Sequence, residues 1–193
     1  MPITSVTGYK ELQRTFKDIV DKQMPFATAL ALTKTVTDGK RALDARLTKD
    51  IDRPTPFTKR AIAYTKATKT RLEASVFIQP IQSEYLKFQV LGGKRTKSAG
   101  KPIFIPSKQT RTNQYGNMPR GKVGKLSARG KTSKSDSLIL ESYKRGRRGL
   151  VYSAAQATYK PSFRFYETAK ATFNKVFSGH MQSSLNRALK TAR

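Results

Sequence analysis

The chain has 193 residues, enough for one domain, and is 37% hydrophobic, so its core is expected to be modest. Lys and Arg number 39 against 12 Asp and Glu, a net charge of +27; self-repulsion on this scale opposes compaction and points to a polyanion or an acidic protein surface as neighbour. The absence of cysteine excludes disulfides, thiolate nucleophiles and Cys-based zinc sites, and fits a reducing compartment. Residues 1–10 hold no apolar h-region and no apolar run approaches 18 residues, so neither a signal peptide nor a membrane span is expected.

Tyr9, Leu12, Phe16, Ile19 and Val20 recur at helical spacing and predict an amphipathic helix over residues 9–23. Pro25 interrupts it. Proline is tolerated in a first helical turn, so a second helix is expected to start there. Its apolar stripe is Phe26, Leu30, Val36, Leu43, Leu47 and Ile51. Gly39 weakens that stripe by about 1 kcal/mol relative to Ala. Arg53-Pro54-Thr55-Pro56 stops the helix, because residues before proline leave the α region. Residues 61–70 suit strand and helix equally. Leu72, Ala74, Val76 and Ile78 alternate with other residues and predict a strand over 71–79. A short helix over 81–91 is expected to end at Gly92-Gly93.

Composition then changes. Residues 92–160 hold 17 Lys and Arg against Asp136 and Glu141, so this segment alone carries +15. Ile103–Ile105 and Ser137–Leu140 predict short strands. Arg111–Arg120 is dense in turn formers and predicts a loop. Lys144–Arg148 reads as a charged hairpin tip with Leu150–Tyr152 as the returning strand. Phe163 and Phe165 read as a strand. Ala169, Phe173, Val176, Phe177, Met181, Leu185 and Leu189 predict a long amphipathic helix over 167–190. The expected architecture is a single α+β domain over 1–193. It has N-terminal helices, a small mixed or antiparallel sheet and a long C-terminal helix, with 92–160 a basic excursion rich in loops and β-hairpins.

The residues offer no catalytic set. His180 is the only histidine; beside Phe177 and Met181 it reads as the edge of a buried stripe more readily than as a base or ligand. Neither a nucleophile–base pair nor a metal-ligand set can be built around it. Asp50 and Asp52 form a close carboxylate pair, and the simpler reading is a helix end beside Arg53. Gly92-Gly93-Lys94 and Gly121–Lys125 lack the spacing of a phosphate-binding loop. No catalytic residue, metal or cofactor is expected.

The basic segment admits two readings. Lys94, Arg95, Lys97, Arg120, Lys122, Lys125, Arg129, Arg145, Arg147 and Arg148 are candidates to contact nucleic-acid phosphates, with steep salt dependence, and Tyr115 offers a stacking surface. The same cations would equally dock onto acidic proteins and set the register of an assembly. No zinc-finger spacing, ribonucleoprotein aromatic signature or basic-region heptads are present, so any DNA contact is expected to be non-specific.

Three places carry a resemblance: Asp52-Arg53-Pro54-Thr55-Pro56-Phe57-Thr58 followed by Leu72–Ile78; Glu84-Tyr85-Leu86 leading to Gly92-Gly93-Lys94-Arg95; and Asn113–Gly121. In this order they resemble tail and neck structural proteins of tailed phages. The size, basicity and helix–basic middle–helix plan are similar to the minor tail protein Z, or tail-completion, type. The likeness covers nearly the whole chain. It implies a non-enzymatic virion protein, in the neck or tail and in the host cytoplasm during assembly, forming a homo-oligomeric ring around the DNA channel. Portal, neck and tail proteins are its implied partners. It makes Asn113, Tyr115, Asn117 and Pro119 candidates for an interface loop, although Asn, Gly and Pro at this density shape a tight loop whatever it contacts. The alternative is a non-specific nucleic-acid-binding protein, a packaging or chromatin-like factor.

Overall fold

The computed structural model describes residues 13–14, 17–96, 103–108, 110–128, 132–135, 138–143, 146–154 and 156–191. It is an α+β protein. The described helices are α1 (Met24–Asp50), α2 (Pro56–Lys59), α3 (Pro80–Val90), α4 (Lys122–Ala128) and α5 (Phe165–Thr191). The strands are β1 (Ile62–Thr65), β2 (Ser75–Ile78), β3 (Gly93–Thr96), β4 (Ile103–Pro106), β5 (Thr132–Ser135), β6 (Leu138–Tyr143), β7 (Gly146–Ala154) and β8 (Gln156–Tyr159). Every described strand pair is antiparallel. The chain forms two compact units: residues 1–46, 60–79 and 165–193, and residues 47–59 and 80–164.

In the first unit, the break expected at Pro25 is a join. Residues 19–23 form a π turn in which the Met24 N–H donates to the Ile19 carbonyl, five residues back. The wider turn absorbs the register change, and α1 begins with Pro25 in its first turn, where the missing N–H costs little. In this turn Lys22 pairs with Asp18 at 2.8 Å. That hydrogen bond and charge raise the Lys22 pKa above the usual lysine value.

Ala29, Val36 and Leu43 are buried on one side of α1, and Ala27 and Ala31 on nearly the opposite side, so the helix is covered on both. At Gly39 a Cβ would meet the ring of Phe173 on α5, with Cδ1 and Cζ each at 3.2 Å and Cε1 closer still. The glycine that weakens the helix locally is therefore the seat of an aromatic ring from 134 positions later in the chain. Threonines within the long helices return their hydroxyls to the carbonyl four residues back, as Thr35 does to Ala31 (2.9 Å) and Thr172 to Thr168 (2.8 Å). Lys40 pairs with Asp44 one turn on.

Residues 61–70, which suited both states, supply β1. It pairs with β2, Ile62 opposite Ile78 and Thr65 opposite Ser75. The predicted strand 71–79 is thus confined to Ser75–Ile78. The Ala67 N–H donates to Thr33 Oγ1 on α1 (3.2 Å), and Lys69 Nζ lies 5.2 Å from the Phe26 ring centroid.

The second unit begins with the last residues of α1. Helix α3 ends as expected: Gly92 takes a positive φ of +72° and its N–H donates to the Phe88 carbonyl (3.1 Å). A Cβ at Gly92 would lie 2.9 Å from Pro161 Cδ, so the position needs glycine for space as well as conformation. Gly93 then opens β3, which pairs with β8 as a two-stranded ribbon. Phe88 of α3 meets Tyr159 of β8 with ring centroids 5.5 Å apart.

A four-stranded sheet follows, in the order β4-β7-β6-β5. The β6–β7 hairpin pairs Tyr143 with Gly146 and has a register shift at Ile139/Leu140. Phe104 and Ile105 are neighbours on the edge strand β4 and so face opposite ways, yet both are exposed.

Three expectations need correction. Phe163 and Phe165 do not form a strand. Both are buried, but Phe165 is the first residue of α5, which runs to Thr191. Two alternating aromatics are equally produced by an irregular lead-in to a helix. Helices α2 and α4 and strands β3, β5 and β8 were not expected, because each is too short to show a hydrophobic period. The helix over 9–23 is helical at 13–14 and 17–18 and continues into the π turn, and residues 9–12 and 15–16 lie outside the described residues.

Candidate functional site

The candidate phosphate-contacting cations fall on several elements of the second unit. Lys94 and Arg95 are exposed neighbours on β3, hence on opposite faces of the ribbon. Arg120 is exposed in the turn before α4, Lys122 begins that helix half-buried, and Lys125 is exposed on it. Arg147 and Arg148 stand on β7 opposite Ser142 and Glu141. Lys97, Arg129 and Arg145 lie outside the described residues. Among the described residues no group of three His, Cys, Asp or Glu could hold a metal ion, and no helix is long and apolar enough to cross a membrane.

His180 has a structural partner. Its Nε2 lies 2.7 Å from Asp38 Oδ2, tying α5 to α1, and Arg41 reaches the other Asp38 oxygen at 3.2 Å. Asp50 and Asp52 sit at the end of α1, as the simpler reading had it. The Asp50 carboxylate accepts the Arg164 N–H (3.4 Å), and Asp52 pairs with Arg53 (3.1 Å).

The second unit has a cleft of about 360 Å³. It joins three separate stretches: the linker 51–58, one face of α3 and the loop 113–117. The Ile51 N–H still donates to the Leu47 carbonyl (3.1 Å), and the chain then turns sharply. Arg53 makes the turn at φ +43°, the only described non-glycine residue at positive φ. This left-handed region costs a side-chain-bearing residue about 1–2 kcal/mol. Pro54 and Pro56 limit the linker. Thr55 caps α2, its Oγ1 accepting the Thr58 N–H (3.1 Å), with Pro56 at the first helical position.

Thr58 is buried. Its hydroxyl lies between Thr55 Oγ1 and the Tyr85 hydroxyl, 3.0 Å from each. Gln82 Nε2 donates to the Phe57 carbonyl (3.4 Å), and helical spacing puts Tyr85 and Gln89 on one face of α3. Gln89 is anchored at its far side: its carbonyl accepts the Ser162 and Phe163 N–H groups at 2.8 Å, and its Oε1 accepts the Ser162 hydroxyl at 2.6 Å.

The loop forms the third wall. Asn113 Oδ1 accepts the Tyr115 and Asn117 N–H groups (3.0 Å each), and the Asn113 N–H donates to the Asn117 carbonyl (2.8 Å). Gly116 takes φ +75°, and a Cβ there would lie 3.1 Å from Arg53 Nη2, so the guanidinium lies against bare backbone. Asn113, Tyr115 and Asn117 thus form a closed turn, of which Tyr115 and Asn117 line the cleft; Pro119 follows it and accepts the Lys122 N–H (3.2 Å). The sequence singled out 52–58, 84–86 and 113–121 as separate strings, and the structure brings parts of all three together. Thr58, Tyr85 and Gln89 were not named as site residues, since nothing in local spacing links positions 27 or more apart.

The first unit has a second, apolar groove of about 380 Å³, lined by Leu32, Val36 and Ala74 with Phe173 and Phe177. Comparison with known proteins finds no matching family model, no matching curated protein and no matching solved structure.

Proposed function

We propose that this chain is a non-catalytic virion structural protein of a tailed phage, built into the neck or tail as a tail-completion or head–tail joining subunit. In this reading it assembles as a homo-oligomeric ring around the DNA channel and contacts portal, neck and tail proteins. The observation that carries the reading is the convergence at the cleft. Residues 52–58, 85–86 and 113–117, parts of three stretches on which the phage resemblance rests, line or frame one built surface. The exposed apolar pair Phe104 and Ile105 on an edge strand, and a basic second unit, also suit a subunit that completes itself against neighbours. Mass spectrometry of purified particles tests it: the chain is expected in stoichiometric, repeated copies, and deletion of its gene is expected to leave particles that fail to join heads to tails. Intact, infectious, tailed particles without the protein would end the reading.

A second reading, a non-specific nucleic-acid-binding protein, draws on the exposed Lys94, Arg95, Arg120 and Lys125. It requires tight binding to any duplex with a steep salt slope. Absence of binding at about 50 mM salt, where each phosphate contact still contributes strongly, would remove it.

A further inference from the structure

We infer that the cleft between residues 51–58, α3 and the loop 113–117 is a socket for a short acidic peptide segment of a partner protein, whose carboxylate is taken by Arg53. The inference does not depend on the phage reading.

Arg53 is the first reason. Glycine would adopt φ +43° without strain, yet the chain carries there a long cation followed by proline, and aims it across the cleft onto Gly116. Backbone strain that persists at a cleft marks a side chain used for something other than stability. The guanidinium's present partner, Asp52, is held only weakly, because both side chains are more than half exposed (57% and 80%). An incoming carboxylate in bidentate geometry displaces it.

The hydrogen-bonding inventory is the second reason. Among the described residues Gln89 Nε2, the Asn117 side-chain amide and the Tyr115 hydroxyl make no hydrogen bond, and all three residues line the cleft. With Arg53 they form a set dominated by donors. Such a set suits the carboxylate and carbonyl oxygens of a peptide. Phe57, exposed at 46%, and Tyr115 supply ring surface for the apolar groups beside that carboxylate.

Size and charge complete the case. A cleft of about 360 Å³ is at the small end for ligand sites and takes a side chain with its flanking backbone, not a duplex. A chain of net charge +27 draws acidic segments towards it from a distance, and the socket then selects among them.

The test is an NMR titration of isotope-labelled full-length protein with the blocked tripeptide Phe-Glu-Phe, and separately with Phe-Gln-Phe, at about 150 mM NaCl, where charges more than ~8 Å apart are largely screened. Saturable shifts are expected at the Tyr85, Gln89 and Asn117 amides with the Glu peptide. Arg53→Gly is the decisive variant. It is expected to weaken binding about tenfold or more while its unfolding midpoint equals or exceeds that of the parent, because it removes strain together with the cation. Lys175→Gln, an equal loss of charge on α5, is expected to change binding less than about twofold. Four results would overturn the inference: equal weakening by both variants; a lower midpoint with binding intact for Arg53→Gly, which makes Arg53 a clamp; shifts confined to the cationic strands; or the same three amides responding to a short DNA duplex and not to the peptide.

Discussion

Replacing Gly39 with alanine sets two effects against each other at one atom. In isolation the change helps α1, because alanine in a helix interior is favoured over glycine by about 1 kcal/mol. In this fold the added Cβ falls inside contact distance of the Phe173 ring, with two ring carbons at 3.2 Å and a third nearer. The ring cannot bend away as a lysine tail would; it must shift as a plate towards the apolar groove it borders. Overpacking of this kind costs about 1–3 kcal/mol against that gain, so the net expectation is a loss of up to about 2 kcal/mol. For a chain of this size that lowers the melting temperature by up to roughly 8 °C. Far-UV circular dichroism melts and urea titrations measure it. The sign is the discriminating quantity. In a Phe173→Leu background the clash is relieved, and Gly39→Ala is expected to become neutral or stabilising by up to about 1 kcal/mol. If Gly39→Ala stabilises the parent protein, or acts identically in both backgrounds, α1 and α5 do not meet at this point and the reasoning fails.

Ser184 is fully buried on α5 and its hydroxyl finds no hydrogen-bond partner among the described residues. Ser184→Ala is therefore expected to raise stability by about 1 kcal/mol, read as the shift in urea midpoint; a loss of that size would mean the hydroxyl is satisfied. A double-mutant cycle on Asp38→Ala and His180→Ala should return a coupling of about 0.5–1 kcal/mol for the 2.7 Å pair, while additive effects would mean the pair contributes nothing. Thr55→Ala removes the cap of α2 and one neighbour of the buried Thr58 hydroxyl, and is expected to cost about 1 kcal/mol. Hydrogen exchange should place that loss in the second unit, and faster exchange confined to the first unit would contradict it.

What was legible in the sequence follows from the range of the interaction that fixes each element. The long helices could be read because their apolar stripes repeat every few residues and their ends carry local chemistry. Gly92 closes α3 at φ +72°, whereas the single turn of α2 behind its Thr55 cap was not expected. Of the hairpin tip expected over 144–148, residues 144–145 lie outside the described residues and 146–148 already belong to β7, so the returning strand begins before Leu150. Strands β3 and β5 could not be read, since Gly93–Thr96 and Thr132–Ser135 carry no apolar alternation, and the alternation of β8 is only Ala157 and Tyr159, too short to stand out. The cations were visible as charge, but their distribution over ribbon, helix and sheet was not. The cleft lay wholly outside local reach: Thr58 meets Tyr85 over 27 positions, and Gly116 meets Arg53 over more than twice that.

Two residues nevertheless marked these long-range features from the start. A glycine in mid-helix and a cation between a helix end and a proline are both poor local choices. Sequences that specify one fold tend to be locally consistent, so a local violation points to a constraint imposed from elsewhere. Gly39 answers to a ring on α5, and that constraint is packing: enlarging the residue should destabilise the fold. Arg53 differs in kind. Its strain at φ +43° would be relieved by the smaller residue, so packing alone gives no reason to keep an arginine there. The direction in which each substitution moves stability thus separates a residue kept for the fold from one kept for a partner.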